Sequence, residues 1–172
     1  MAELIDVFDE NRIPTGEVID RKAEKLGPGR YMLYVLALIE DEDGRFLITR
    51  RTLDKKWAAG AWEIPGGGQQ AGESSFEAVC REVLEETGLD ISGVGFEERF
   101  PAYMYRNTDP SGRDNYFCDI YHIHLQYSDS DVKLQESETL GFTRADYKGM
   151  EALNATDGFL HLERIHKTLF GS

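Results

Sequence analysis

The chain has 172 residues, 41% of them hydrophobic and 30% charged, and a formal net charge of −13. That length suits one domain with a real core. The acidic surface repels phosphate backbones and anionic lipid, which argues against a nucleic-acid polymer or a membrane as partner.

Residues 4–8 read as a strand, 9–16 as a turn-rich segment, and 17–21 as a returning strand. After a loop at 25–29, residues 31–40 form a nearly continuous apolar run, as expected of a strand buried on both faces. Asp41-Glu-Asp-Gly44 is a hairpin turn, and residues 45–51 pair back. A loop with Trp57 and Trp62 leads into Pro65-Gly-Gly-Gly68. Residues 74–87 predict a helix closed by Gly88. Residues 94–106 and 115–125 read as strands joined by a polar loop. Residues 156–170 read as a C-terminal helix with Asp157 near its start. The economical architecture is a mixed sheet with helices packed on it, an α/β (α+β) fold.

Two cysteines, Cys80 and Cys118, stand in no metal-ligand or CxxC spacing and are too few for a disulfide scaffold, so a reducing, cytoplasmic setting is expected. The first ten residues carry acids where a signal peptide needs basic and apolar residues. The apolar run 32–39 is too short to span a bilayer.

The helix at 74–87 carries the chemistry. At about 100° per residue, Glu82, Glu85 and Glu86 fall within one arc, while Phe76, Val79, Cys80, Val83 and Leu84 fall on another. The helix thus has a core face and a carboxylate face. Neighbouring glutamates at i,i+4 repel by a few tenths of a kcal/mol on an exposed helix. A divalent cation converts that repulsion into coordination, and Mg²⁺ suits a site of carboxylates, waters and phosphates. Gly66, Gly67 and Gly68 let the backbone approach a metal or phosphate closely. Glu73 lies before the helix, where it meets the helix dipole and reaches Arg81.

The segment reads Gly67-x5-Glu73-x7-Arg81-Glu82-Val83-x-Glu85-Glu86-x-Gly88-Leu89 and resembles the Nudix box at every fixed position. Residues 46–51 and 60–67 resemble the strand and loop leading into that box. Asp6-Val-Phe-Asp-Glu10 with Thr15-Gly16 resembles the N-terminal hairpin of a branch related to isopentenyl-diphosphate isomerase. The resemblance implies an α/β/α sandwich forming a single domain over 1–172, with 1–27 as a hairpin extension and 28–172 as the core. It implies that the Gly66 carbonyl, Glu82 and Glu86 bind Mg²⁺ (or Mn²⁺). Glu85 would be a further ligand or the base, with Glu73 and Arg81 as supports. The implied reaction is hydrolysis of a diphosphate linkage in a nucleoside diphosphate derivative or related small molecule.

Glu136 and Glu138, in a loop after the third long strand, are candidates for an additional acid. Arg50 and Arg51 point to opposite faces of their strand, so one is available for the distal phosphate. Gly67 and Gly68 complete the phosphate cradle, Lys55 and Lys56 are further options, and Tyr103 and Tyr105, with Tyr116, Tyr121 and Trp57, are candidates for stacking on the attached group. His122 and His124 share one face of a strand. They read as strand packing, because Mg²⁺ prefers oxygen. His161 and His166 read as helix-surface residues. Two alternatives stand beside the hydrolase: an isomerase of isopentenyl diphosphate, and a nucleotide-binding module without activity. The isomerase chemistry of the family needs a cysteine where this chain has Pro65 and Gly66. A homodimer fits the resemblance.

Overall fold

The structure, a computed structural model, describes residues 1–171. Two strands, β1 (Leu4–Phe8) and β2 (Pro14–Asp20), form an antiparallel hairpin. The main sheet has seven strands: β3 (Met32–Glu40), β4 (Phe46–Arg51), β5 (Trp62–Glu63), β6 (Gly66–Gly68), β7 (Tyr103–Asn107), β8 (Tyr116–His124) and β9 (Thr139–Ala145). Its centre is a parallel pair, β3 with β8, in register from Met32–Tyr116 to Glu40–His124. All other pairings are antiparallel.

Alternation along β3 distributes the core. Leu33, Val35, Ala37 and Ile39 face helix α1 (Ser75–Thr87) together with Val79, Val83 and Tyr121. Leu36 and Leu38 face the opposite layer, where α2 (Tyr147–Thr156) contributes Met150 and α3 (Leu162–Phe170) contributes Ile165. Helices therefore cover both faces of a mixed sheet, the α/β/α sandwich expected. A third cluster, with Ile5, Val7, Ile19, Leu26 and Met32, docks the hairpin onto β3. Among the described residues, no helix is long and apolar enough to cross a membrane.

The hairpin between β3 and β4 opens after one pair, Glu40 with Phe46. The chain from Trp62 to Gly68 re-enters that opening. Trp62 and Glu63 pair with β4, Pro65 accepts the Ala37 N–H at 2.8 Å, and Gly66–Gly68 pair with Leu36–Tyr34. Glycine is required at 66 because a Cβ there would lie 2.1 Å from the Val35 carbonyl oxygen.

Helix α1 starts at Ser74, whose side chain accepts the Glu77 N–H at 3.1 Å. It ends at Gly88, where φ is 75° and the N–H returns to the Leu84 carbonyl. Its buried residues are Ala78, Val79, Val83 and Thr87. Leu84, expected on the core face, is 53% exposed. Gly88→Ala is expected to cost about 1 kcal/mol, because φ is left-handed and the new Cβ would meet the Lys133 Cβ at 3.0 Å. A shift of the urea midpoint at constant slope checks it.

The C-terminal half departs from the sequence reading. Residues 94–106 are not one strand: Phe96–Arg99 form a 3-10 turn, and pairing starts only at Tyr103. Gly93 and Gly95 break the run, and Pro101 offers no N–H to a ladder. The helix expected at 156–170 is shorter, spanning only Leu162–Phe170. Asp157 ends α2, Gly158 turns with φ of 87°, and α3 begins only after His161. Strands β5, β6 and β9 and helix α2 were not anticipated. β9 is a half-polar sequence ordered by pairing along the whole of β4.

Candidate active site

The carboxylate face of α1 and the glycine strand β6 form one wall of a cleft of about 870 Å³. Arg81 organises that wall. Its guanidinium donates to Glu73 at 2.5 and 3.2 Å, to Glu82 at 3.0 Å, to Glu85 at 3.2 Å and to the Gly68 carbonyl at 3.0 Å. Burial alone would loosen the Arg81 proton, but the Glu73 and Glu82 carboxylates outweigh it and raise its pKa. One side chain thus ties the start of the helix, its acidic face and the glycine strand together. A Cβ on Gly67 would sit 2.5 Å from the Glu82 carboxyl, so the glycine allows carboxylate and backbone to touch.

The acids differ in environment. Glu85 is half exposed. Burial raises the Glu82 pKa, opposed by Arg81 and reinforced by Glu85 and Glu73. Burial also holds the Glu86 pKa well above the usual carboxylate range, reinforced by Glu82 and Glu63. Its compensation is the Gly66 N–H, which donates at 3.3 Å. Glu63, on β5, has its pKa raised by burial, partly offset by Arg51. Buried carboxylates this close are not all ionised by themselves. An all-oxygen donor set of this kind beside a backbone carbonyl fits a hard divalent cation.

The sequence reading missed Glu63. Its signal was weak, a single acid in a short segment between two tryptophans and the glycines. The cleft also takes in Glu138 but not Glu136; Glu138 forms an ion pair with Lys55. Of the two arginines, Arg51 faces the cleft, donating to Glu63 at 3.3 Å with its guanidinium over the Trp57 ring. Its buried Nε has no partner in the protein. Arg50 points away, donating to the Gly60 carbonyl and pairing with Asp157. Gly66, Gly67 and Gly68 line the cleft as expected.

Tyr103 and Tyr105 do not line it. They lie on β7 beneath α3, where Arg164 donates to the Tyr103 hydroxyl at 3.2 Å and stacks over Tyr105. The half-buried rings that do face the cleft are Tyr34 and Tyr116, edge to face at 5.1 Å. His161 faces it too, in a left-handed conformation with φ of 60°. Burial lowers its pKa, so the ring is neutral near pH 7. That corrects its reading as a helix-surface residue. The Cys118 thiol borders the cleft, and burial pushes its pKa up to about 12. The hairpin supplies Glu3, Leu4 and Arg21 to the cleft, with Arg21 close to Gly68.

A family model described as NUDIX domain matches residues 30–160. An uncharacterised Nudix hydrolase of Listeria monocytogenes is 32% identical over 156 residues, covering 90% of this chain and 86% of its own. An isopentenyl-diphosphate Delta-isomerase of Kocuria rhizophila is 30% identical over 138 residues, covering 79% of this chain and 73% of its own. A solved structure from Deinococcus radiodurans superposes with a TM-score of 0.73 at 18% identity, covering 97% of this chain and 99% of that one, a likeness of fold. The family match spans well over half of the sequence and contains the whole segment from Gly66 to Leu89. By sequence, architecture and the arrangement around Arg81, the chain belongs to the Nudix hydrolase family.

Proposed function

We propose that this enzyme hydrolyses the diphosphate linkage of a small molecule, a nucleoside diphosphate derivative or a close analogue, with Mg²⁺ (or Mn²⁺) bound at the carboxylate wall. The observation that carries this reading is the set Glu63, Glu82 and Glu86, half-buried in one cleft beside the glycine strand with too little positive charge to balance them. Glu82, Glu86 and the Gly66 carbonyl would hold the ion, with Glu85 as a further ligand or the base. A bound divalent ion lowers the pKa of water and neutralises phosphate oxygens.

The protein's own groups do the rest. Arg81, fixed by Glu73, holds Glu82 and Glu85 in place. Arg51 would bind the distal phosphate; its position on the cleft and its unpartnered Nε support that role. Glu138 joins Glu85 as a candidate to take the proton of the attacking water. Tyr34, Tyr116 and Trp57 offer π-faces for the attached group. The same reading makes the protein a cytoplasmic single domain with residues 1–27 as its extension. It admits a homodimer.

A screen of nucleoside diphosphate sugars, ADP-ribose, dinucleoside polyphosphates and nucleotides with Mg²⁺ tests it. Metal-dependent release of phosphate products from at least one is expected. Tight binding of one without turnover of any would favour a binding module. The isomerase relatives supply the other arm. Proton exchange into isopentenyl diphosphate without phosphate release would replace hydrolysis as the activity. The Cys118 thiol, held protonated, and Pro65-Gly66 in the glycine loop disfavour that outcome.

A further inference from the structure

A second cluster of ligand-type side chains lies outside the cleft, where β3 and β8 end. Parallel register sets Leu38 beside His122 and Glu40 beside His124. Residues two apart on a strand share a face, so both imidazoles project on the side that Glu40 occupies. The Glu40 Oε2 meets the His122 Nε2 at 3.1 Å and also contacts the His124 Nε2. The two rings stack at 4.8 Å between centroids. The three ligand atoms all lie within 4.8 Å of one another. None of these residues lines the cleft.

A further carboxylate fixes one ring. Glu98, in the 3-10 turn before β7, accepts the His124 backbone N–H at 2.7 Å and contacts the His124 Nδ1 at 2.9 Å. With Nδ1–H donating to Glu98, the Nε2 lone pair of a neutral His124 is directed at Glu40 and His122. A carboxylate holding the far nitrogen of a histidine is the usual outer support of a metal-bound imidazole. Ligands about 2.0–2.1 Å from a shared tetrahedral ion stand roughly 3.4 Å apart. The observed separations reach that arrangement with small side-chain rotations.

We propose that Glu40, His122 and His124 form a site for a borderline divalent transition metal, Zn²⁺ in the first place, positioned by Glu98 and separate from the carboxylate site of the cleft. Two imidazoles and one carboxylate suit Zn²⁺ and disfavour Mg²⁺. His124 is 62% exposed, so the ion has a path in and a coordination position open to water. Binding would tie the ends of the two central strands.

The test is titration of EDTA-stripped protein with Zn²⁺ in excess Mg²⁺, which occupies the cleft carboxylates. Calorimetry gives stoichiometry and affinity, and histidine-ring NMR gives location. One equivalent of Zn²⁺ is expected, with the rings of His122 and His124 shifted and those of His161 and His166 unmoved. His122→Ala and His124→Ala should each weaken binding by more than about 100-fold, and Glu98→Gln by about 10- to 100-fold. Thermal melts without metal check that each variant is folded. Absence of stoichiometric binding would overturn the proposal. So would unmoved rings of His122 and His124 in the unaltered protein, a result independent of any variant, or unchanged affinity in the folded alanine variants.

Discussion

Glu86→Gln is expected to lower kcat by about a thousandfold while raising the thermal midpoint of the metal-free protein. The two effects share one cause. Glu86 is half-buried beside Glu82 and Glu63, so its charge is unfavourable unless a cation answers it. The amide keeps the shape and removes the charge. The fold gains because like-charge repulsion and desolvation are relieved. On the proposed function, catalysis would lose an ion ligand that acts in the transition state. A Glu86 fully exposed on the carboxylate face would predict loss of activity but no change in stability. The structure replaces that with a rise. Steady-state kinetics on the substrate found by screening, with calorimetric melts in EDTA, read both. Near-normal kcat would sink the assignment of the metal site. A lower midpoint in EDTA would show that Glu86 is structural and not poised for a cation.

The helix was legible in the sequence because its determinants are local, whereas Gly66–Gly68, read as the end of a loop, become a strand only by pairing with β3. Ser74 and Gly88 mark the ends, the spacing of Glu82, Glu85 and Glu86 sets one face, and Glu73 meets Arg81 across one turn and a loop. The buried run of β3 was equally plain, since both its faces are covered. Elements whose order comes from distant partners were not. β9 takes its strand form from β4, and α2 starts from a single capping aspartate, Asp146, within a short, weakly patterned stretch. Of the aromatic candidates, Tyr116 and Trp57 line the cleft and Tyr103, Tyr105 and Tyr121 do not, for the same reason. Tyr103 and Tyr105 lie where β7 passes under α3, while Tyr34 and Tyr116 reach the cleft because β3 and β8 are neighbours. Separation along the chain hides such pairs, and alternation alone decides only which face a side chain takes. The His122–His124 face was visible, but its meaning depended on Glu40, which stands over 80 residues away.

Arg12→Ala is expected to destabilise the fold by about 3 kcal/mol, the low end for removing one partner of a buried ion pair, because Arg12 is 32% exposed. Its guanidinium grips the fully buried Asp119 at 2.6 and 2.5 Å. Asp119 also accepts the Ser75 hydroxyl at 2.5 Å, and Ser75 meets the Tyr121 hydroxyl at 2.7 Å. The hairpin turn, the central strand β8 and the first turn of α1 therefore share one carboxylate. Arg12 holds a left-handed backbone, φ of 64°, which a residue with a Cβ adopts only when the surroundings impose it. Arg12→Gly relieves that backbone and still loses the pair, so its cost separates the two contributions. Asp119→Asn made on top of Arg12→Ala removes the stranded charge and should recover much of the loss. The effect extends to the cleft, since the same hairpin carries Glu3, Leu4 and Arg21 on its rim. Urea melts of the single and double variants measure the coupling. If Arg12→Ala melts like the unaltered protein, the ion pair adds nothing to the docking of the hairpin, and the burial of Ile5, Val7 and Ile19 alone holds it in place.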